Sequence, residues 1–264
     1  MRADLTRDRV VARLAAAGCV FAHEEAEELV AFAPDGAMLE AWVRRREDGE
    51  PLPWITGSVE FCGRRLHIEA GVYVPRRQTE ELACRAEALL RSSDGRALDL
   101  CTGCGAIAAH LQAAVPSAHV VGVDLDPVAA RCARRNGVDA VIGHADAPFA
   151  AHSFDVVTAV PPYVPTGELR LLPADVLRYE PRAALDGGDD GLDLVRDVIS
   201  SAARLLRPGG WVLIEIGGRQ HELVRSTLAT VGFDSSEPWF DDDGDLRGVH
   251  ARATEQQIRA PLPG

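Results

Sequence analysis

Residues 97–111 read ALDLCTGCGAIAAHL. A short apolar run, ALDLC, enters a turn carrying Gly103 and Gly105, and small apolar residues follow as a helix from 105. Glycine at these points permits a tight turn and lets a ligand approach the backbone at the start of a helix. The same texture continues downstream. VVGVD (120–124) precedes a helical stretch at 127–136, and AVIGHAD (140–146) and FDVVTAV (154–160) are further strands. A helix at 191–206, the strand WVLIEIG (211–217) and a helix at 220–231 follow. Continuous apolar strands alternating with helices predict an α/β fold, a parallel sheet covered by helices on both faces. Two further strands are expected over 236–253.

Upstream the composition differs. Residues 1–52 are rich in Ala, Leu, Glu and Arg and predict a small helical N-terminal domain. Its helices are expected at 3–17, 23–33 and 36–48, broken by Gly18 and by Pro34-Asp35-Gly36. Proline and glycine in PLPWITG mark a linker, and 58–74 reads as two strands around a turn at Cys62-Gly63. The expected domains are therefore 1–52, a linker and β-hairpin at 53–76, a main domain at 77–254, and a frayed tail at 255–264.

The 264 residues carry a formal charge of −12, from 28 basic and 40 acidic residues. That balance argues against a general binder of nucleic acid or membrane surface. No apolar run reaches the roughly 20 residues of a membrane span, and the N-terminus lacks the apolar core of a signal peptide. Six scattered cysteines in a chain of this size read as reduced thiols of a cytoplasmic protein. Cys101 and Cys104 form a lone CxxC without a second pair, so they read as small fillers of the glycine loop. His, Cys, Asp and Glu nowhere cluster at metal-ligand spacing, and no metal is expected.

Ligands of open parallel sheets bind beyond the carboxyl ends of the strands. Three successive ends carry an aspartate: Asp99, Asp124 and Asp146. The first suits an amine, the second the two hydroxyls of a ribose, and the third the exocyclic amine of adenine. S-adenosylmethionine carries all three groups. The loop matches neither the GxGxxG of dinucleotide folds nor the phosphate loop with its lysine.

The residues 75–80, PRRQTE, together with DLCTGCGAIA, Glu180-Pro181-Arg182 and Asp186-Gly187-Gly188, carry a closer resemblance. The chain resembles class I S-adenosylmethionine-dependent methyltransferases, and more narrowly the peptide chain release factor N5-glutamine methyltransferases, over nearly its whole length. The resemblance implies a Rossmann-like methyltransferase sheet, and a protein acceptor such as a release factor recognised in part by the N-terminal domain. It implies S-adenosylmethionine as cofactor and S-adenosylhomocysteine as product. Cys101, Thr102, Gly103, Cys104 and Gly105 would cradle the methionine part, with Asp99 beside it. Asp124 and Leu125 would meet the ribose, and Asp146 and Ala147 the adenine. Arg76, Thr79, Pro161, Tyr163 and Glu180 would line the acceptor pocket.

The stretch TAVPPYVP (158–165) then gains a chemical meaning. Pro161 and Pro162 end the strand's ladder and make a stiff elbow of bare carbonyls. Related enzymes carry Asn-Pro-Pro-Tyr here, and Val160, Pro161, Pro162 and Tyr163 are the expected catalytic elbow, with Val160 also bordering the cofactor. A carboxamide lone pair is tied up in resonance, so both amide N–H groups must be held before the nitrogen can attack. In the family the Asn carbonyl and the first Pro carbonyl are those two acceptors, and the Tyr ring packs on the amide. Val160 removes one of them. Gln78 and Tyr179 are smaller departures near the same pocket. Three readings stay open: a methyltransferase for a protein side-chain amide; one for a small molecule or the exocyclic amine of a base; and a cofactor-binding module without catalysis.

Overall fold

The computed structural model describes residues 6–93, 95–144 and 149–254. α1 (Arg7–Ala16), α2 (Ala22–Phe32) and α3 (Gly36–Glu47) pack around Val10, Leu14, Ala26, Leu29 and Val43, apolar residues at helical spacing. Asp35 caps α3 by accepting from the N–H groups of Ala37 and Met38. The stretch read as a linker contains a one-turn helix, α4 (Leu52–Thr56). Both sides bury it: Ile55 joins the helical core, and Trp54 joins the core of the sheet. The Trp54 indole N–H donates to the Val72 carbonyl at 2.9 Å.

β1 (Ser58–Phe61) and β2 (Arg64–His67) form the expected hairpin, antiparallel, with Cys62 and Gly63 both at positive φ, 49° and 67°. The second strand stops at His67 rather than 74. Beyond it Ile68, Val72 and Val74 are buried from an irregular segment, so their apolar alternation reflects packing and not pairing. α5 (Glu80–Leu90) was not foreseen, although Leu82, Ala83, Ala86 and Leu90 give it a buried face.

The main sheet is built from β3 (Arg96–Leu100), α6 (Ala106–Ala114), β4 (His119–Asp124), α7 (Pro127–Arg135), β5 (Asp139–Ile142) and β6 (Phe154–Ala159). After an excursion that holds α8 (Ala174–Tyr179) come α9 (Asp193–Leu205), β7 (Leu206–Glu215), α10 (His221–Thr230), β8 (Phe233–Phe240) and β9 (Leu246–Ala253). The order across the seven strands is β5-β4-β3-β6-β7-β9-β8. The first five are parallel, and β9 runs antiparallel to both β7 and β8. The sheet is therefore mixed, not wholly parallel, because the β8–β9 hairpin folds its second strand back between β7 and β8. Alternate residues face opposite sides. Ala97 and Val156 pack with α5, α6 and α7, while Leu98 and Val157 pack with α9 and α10. Strand order reverses at β3, where β4 and β6 flank it, and this is the point at which such sheets open a crevice.

Candidate active site

The loop after β3 wraps around one buried carboxylate. Asp99 is 1% exposed and accepts from the hydroxyls of Thr102 at 2.6 Å and Thr158 at 2.7 Å. Burial raises its carboxyl to about 6, against the two hydroxyl bonds, which lower it. The backbone then turns through Cys101 and Gly103 at positive φ. Asp124, at the end of β4, ties this turn down by accepting from the N–H of Gly103 at 2.8 Å, and its other oxygen accepts from Asp126 N–H at 2.9 Å. Gly105 starts α6 at φ +81°, where an added Cβ would lie 2.9 Å from Val138 and 3.0 Å from Ala133. Only glycine lets α6 settle this closely on α7.

These residues wall a cavity of about 400 Å³. Asp99, Cys101, Thr102, Gly103, Cys104, Asp124 and Leu125 all line it, and so do Thr79, Val160 and Pro162. Gly105 lies behind it. Asp146 and Ala147 lie outside the described residues. Burial keeps the Cys101 and Cys104 thiols far above their ordinary range, which makes them inert filling.

A second cavity of about 360 Å³ adjoins the first, and Tyr73, Val160 and Ala184 line both. Arg76, Gln78, Pro161 and Tyr163 line the second, with Leu172 and Val176 from the excursion. The two cavities meet at the elbow. Among the described residues no donor reaches the Pro161 carbonyl. The neighbouring carbonyls are used or covered. Tyr163 O accepts from Gln220 Nε2 at 2.8 Å, and a Cβ on Gly187 would lie 2.7 Å from Pro162 O.

The Tyr163 ring is fixed from below. Its hydroxyl donates to Glu215 Oε1 at 3.0 Å, and Thr79 donates to Glu215 Oε2 at 2.7 Å. Glu215 is 1% exposed, and burial raises its pKa against those two hydrogen bonds. Thr79 thus spends its hydroxyl on Glu215. Glu180 lines neither cavity; it is buried and takes Arg76 at 2.6 Å, while its Oε2 has no partner. Arg76 also lies over the Tyr73 ring, 4.8 Å from its centroid. Sequence reasoning missed Tyr73, Glu215 and Thr158. Tyr73 and Glu215 sit in runs that read only as apolar strand, and Thr158 looked like one more strand residue.

Comparison with known proteins gives the family. The methyltransferase domain family matches residues 97–178. The release factor glutamine methyltransferase of Geobacter sulfurreducens is 41% identical over 217 residues, covering 80% of this chain and 76% of the relative. The 4-amino-L-phenylalanine/4-methylamino-L-phenylalanine methyltransferase of Streptomyces pristinaespiralis is 40% identical over 216 residues, covering 76% and 74%. Among solved structures, the hMettl16 catalytic domain in complex with a 3'UTR hairpin superimposes with a TM-score of 0.58 at 13% identity, over 86% of this chain and 84% of that one, a likeness of fold alone. The cofactor is S-adenosylmethionine, which when bound supplies a methyl group activated on a sulfonium. The cavity suits it: an added Cβ on Gly103 would meet only open space, and the buried Asp99 and the half-buried Asp124 offer negative charge to a cationic ligand. With relatives of this identity over most of both chains, the protein belongs to the release factor glutamine methyltransferase family of S-adenosylmethionine-dependent methyltransferases.

Proposed function

We propose that the chain methylates the side-chain amide nitrogen of a glutamine in an acceptor protein, a peptide chain release factor. The observation that carries this reading is the Pro161 carbonyl, to which no donor among the described residues bonds, on the wall of the second cavity beside the opening to the first. It can accept one amide N–H, while the Tyr163 ring, held by Glu215, packs against the amide plane. Asp99 and Asp124 hold the cationic and hydroxyl-bearing parts of the cofactor, with Asp146 and Ala147 at the adenine. Arg76 and Glu180 shape the acceptor side. The domain of residues 1–52 docks the acceptor protein, and the hairpin at 53–76 joins it to the catalytic domain of 77–254.

One residue favours a second acceptor class. Val160 puts methyl groups where an amide would need a carbonyl. An arylamine nitrogen keeps a more available lone pair than an amide and reacts without both N–H groups being held. A small aromatic amine, of the kind named for the Streptomyces relative, suits an apolar wall and the Tyr73 and Tyr163 rings. The test supplies tritiated cofactor with release factor or with 4-aminophenylalanine and identifies the product by mass spectrometry. N5-methylglutamine in the release factor is the expected product. Methylation of the arylamine with none of the release factor overturns the first reading and establishes the second.

A further inference from the structure

Away from both cavities, three side chains distant in sequence converge under the hairpin turn. Cys62 sits at the turn, Cys84 on α5 and His110 on α6, and their ligand atoms all lie within 4.8 Å of one another. Two thiols and an imidazole are the donors that thiophilic divalent cations prefer, and three protein ligands with a fourth position left to water is a common zinc arrangement. Glu87 Oε2 lies 2.9 Å from His110 Nε2 and fixes the ring, as carboxylates do behind metal-bound histidines.

Backbone conformation points the same way. Cys62 is a non-glycine residue at φ +49°, the first position of a turn whose second residue, Gly63, is also left-handed. Asparagine and aspartate are the favoured residues at such a position, and a cysteine there is strained. Glu80 stabilises the conformation by accepting from the Cys62 N–H at 2.8 Å. The turn thereby holds the Cys62 thiol close to Cys84 and His110. A second group, His67, Glu69 and Cys132, is equally close-set. It already has its cation: Arg135 lies 3.1 Å from His67 Nε2 and 3.0 Å from Glu69 Oε2. Among the described residues no arginine is bonded to Cys62, Cys84 or His110. Arg91 reaches only the other oxygen of Glu87.

We propose that Cys62, Cys84 and His110 form a binding site for a thiophilic divalent cation, zinc in the first instance, which clamps the hairpin to α5 and α6. Its ligands come from three separate elements, so no sequence spacing announces it.

The experiment uses the full chain, stripped with chelator and kept reduced with a phosphine. Cobalt(II) is titrated in, and the sulfur-to-cobalt charge-transfer band in the near ultraviolet is followed. One equivalent should saturate the band, and zinc should displace it. Cys62→Ser and Cys84→Ser should each weaken binding by about 100-fold or more, and Glu87→Gln by about 10- to 100-fold. Cys132→Ser should bind as the wild type does. Retained S-adenosylmethionine binding shows that each variant is folded. Zinc should also protect Cys62 and Cys84, but not Cys19, from alkylation in the unaltered chain, a readout that needs no variant. Absence of the charge-transfer band, equal alkylation with and without zinc, or loss of the band only in Cys132→Ser overturns the proposal.

Discussion

Val160→Asn tests the acceptor chemistry at its most informative residue. Asparagine nearly matches valine in size, and Val160 is only half-buried, so the backbone elbow between Ala159 and Pro161 can stay as it is. The change removes apolar contact worth about 1 kcal/mol of stability. In exchange it places a carbonyl at the junction of the two cavities. If the acceptor is an amide, the wild type holds one N–H on the Pro161 carbonyl and leaves the other unpaired. An unpaired buried N–H costs about 1–3 kcal/mol. Relieving it in the transition state raises turnover about ten- to hundredfold. The assay is single-turnover methyl transfer to release factor, with cofactor affinity measured separately and found equal. If the acceptor is an arylamine, the new carboxamide faces an apolar ring, and turnover on that acceptor should fall by a similar factor. Wild-type turnover on release factor that drops in Val160→Asn would refute the reasoning, because the missing carbonyl would then never have been limiting.

Four further outcomes are expected. Asp124→Ala should weaken S-adenosylmethionine binding by about 1–3 kcal/mol in calorimetry, since charged hydrogen bonds to two hydroxyls are lost. Asp99 titrates near 6 in the folded chain against an ordinary 3.8, so between those values the folded state holds a proton that the unfolded state releases. Its contribution to stability is therefore present below that window and falls as pH rises through it, and urea unfolding at several pH values should lose this slope in Asp99→Asn. Glu215→Gln leaves either Thr79 or Tyr163 without its acceptor, and should lower kcat about ten- to hundredfold at unchanged cofactor affinity if Tyr163 must be held in place. Gly105→Ala should destabilise the fold by about 2–4 kcal/mol in urea unfolding, from about 1–2 kcal/mol for the left-handed backbone and the rest for overpacking against α7.

The sheet was legible because its strands are short apolar runs whose ends carry their chemistry in line: Asp99, Asp124 and the elbow at Val160 can each be found by reading forward from a strand. The direction of β9 was not legible, since GVHARAT would pair in either sense and only the β8–β9 hairpin decides it. α5 was obscured by the signature residues at its start, which drew attention away from the buried face of Leu82, Ala86 and Leu90. Tyr73 and Glu215 escaped for a different reason. Each becomes a site residue only when the hairpin exit and the end of β7 meet beneath Tyr163, a contact between segments 136 residues apart at Thr79 and Glu215. The cluster of Cys62, Cys84 and His110 is invisible in the sequence on the same ground.

The excursion after the elbow is a closed loop. Val164 N–H donates to Leu185 O and Gly187 N–H donates to Val164 O, while Thr166 is bonded through both backbone and hydroxyl to Gly188 and Asp186. Its two ends are thus stapled to each other beside the elbow, and Gly187 and Gly191 press that staple directly onto the elbow backbone. Farther along, the span is tied again: Arg178 and the Tyr179 hydroxyl each donate to Asp48 O at 3.1 Å, and Glu180 takes Arg76 at 2.6 Å, so the Leu172 and Val176 wall of the second cavity is held from both sides. Lengthening or shortening the span costs little in loop-closure entropy, and the knot keeps such changes from reaching Pro161 or the sheet. One catalytic frame can accordingly be refitted to acceptors of different shape by exchanging residues 167–177, between the knot and the Arg178–Glu180 anchors, which makes that span the natural place to graft when a new acceptor is wanted.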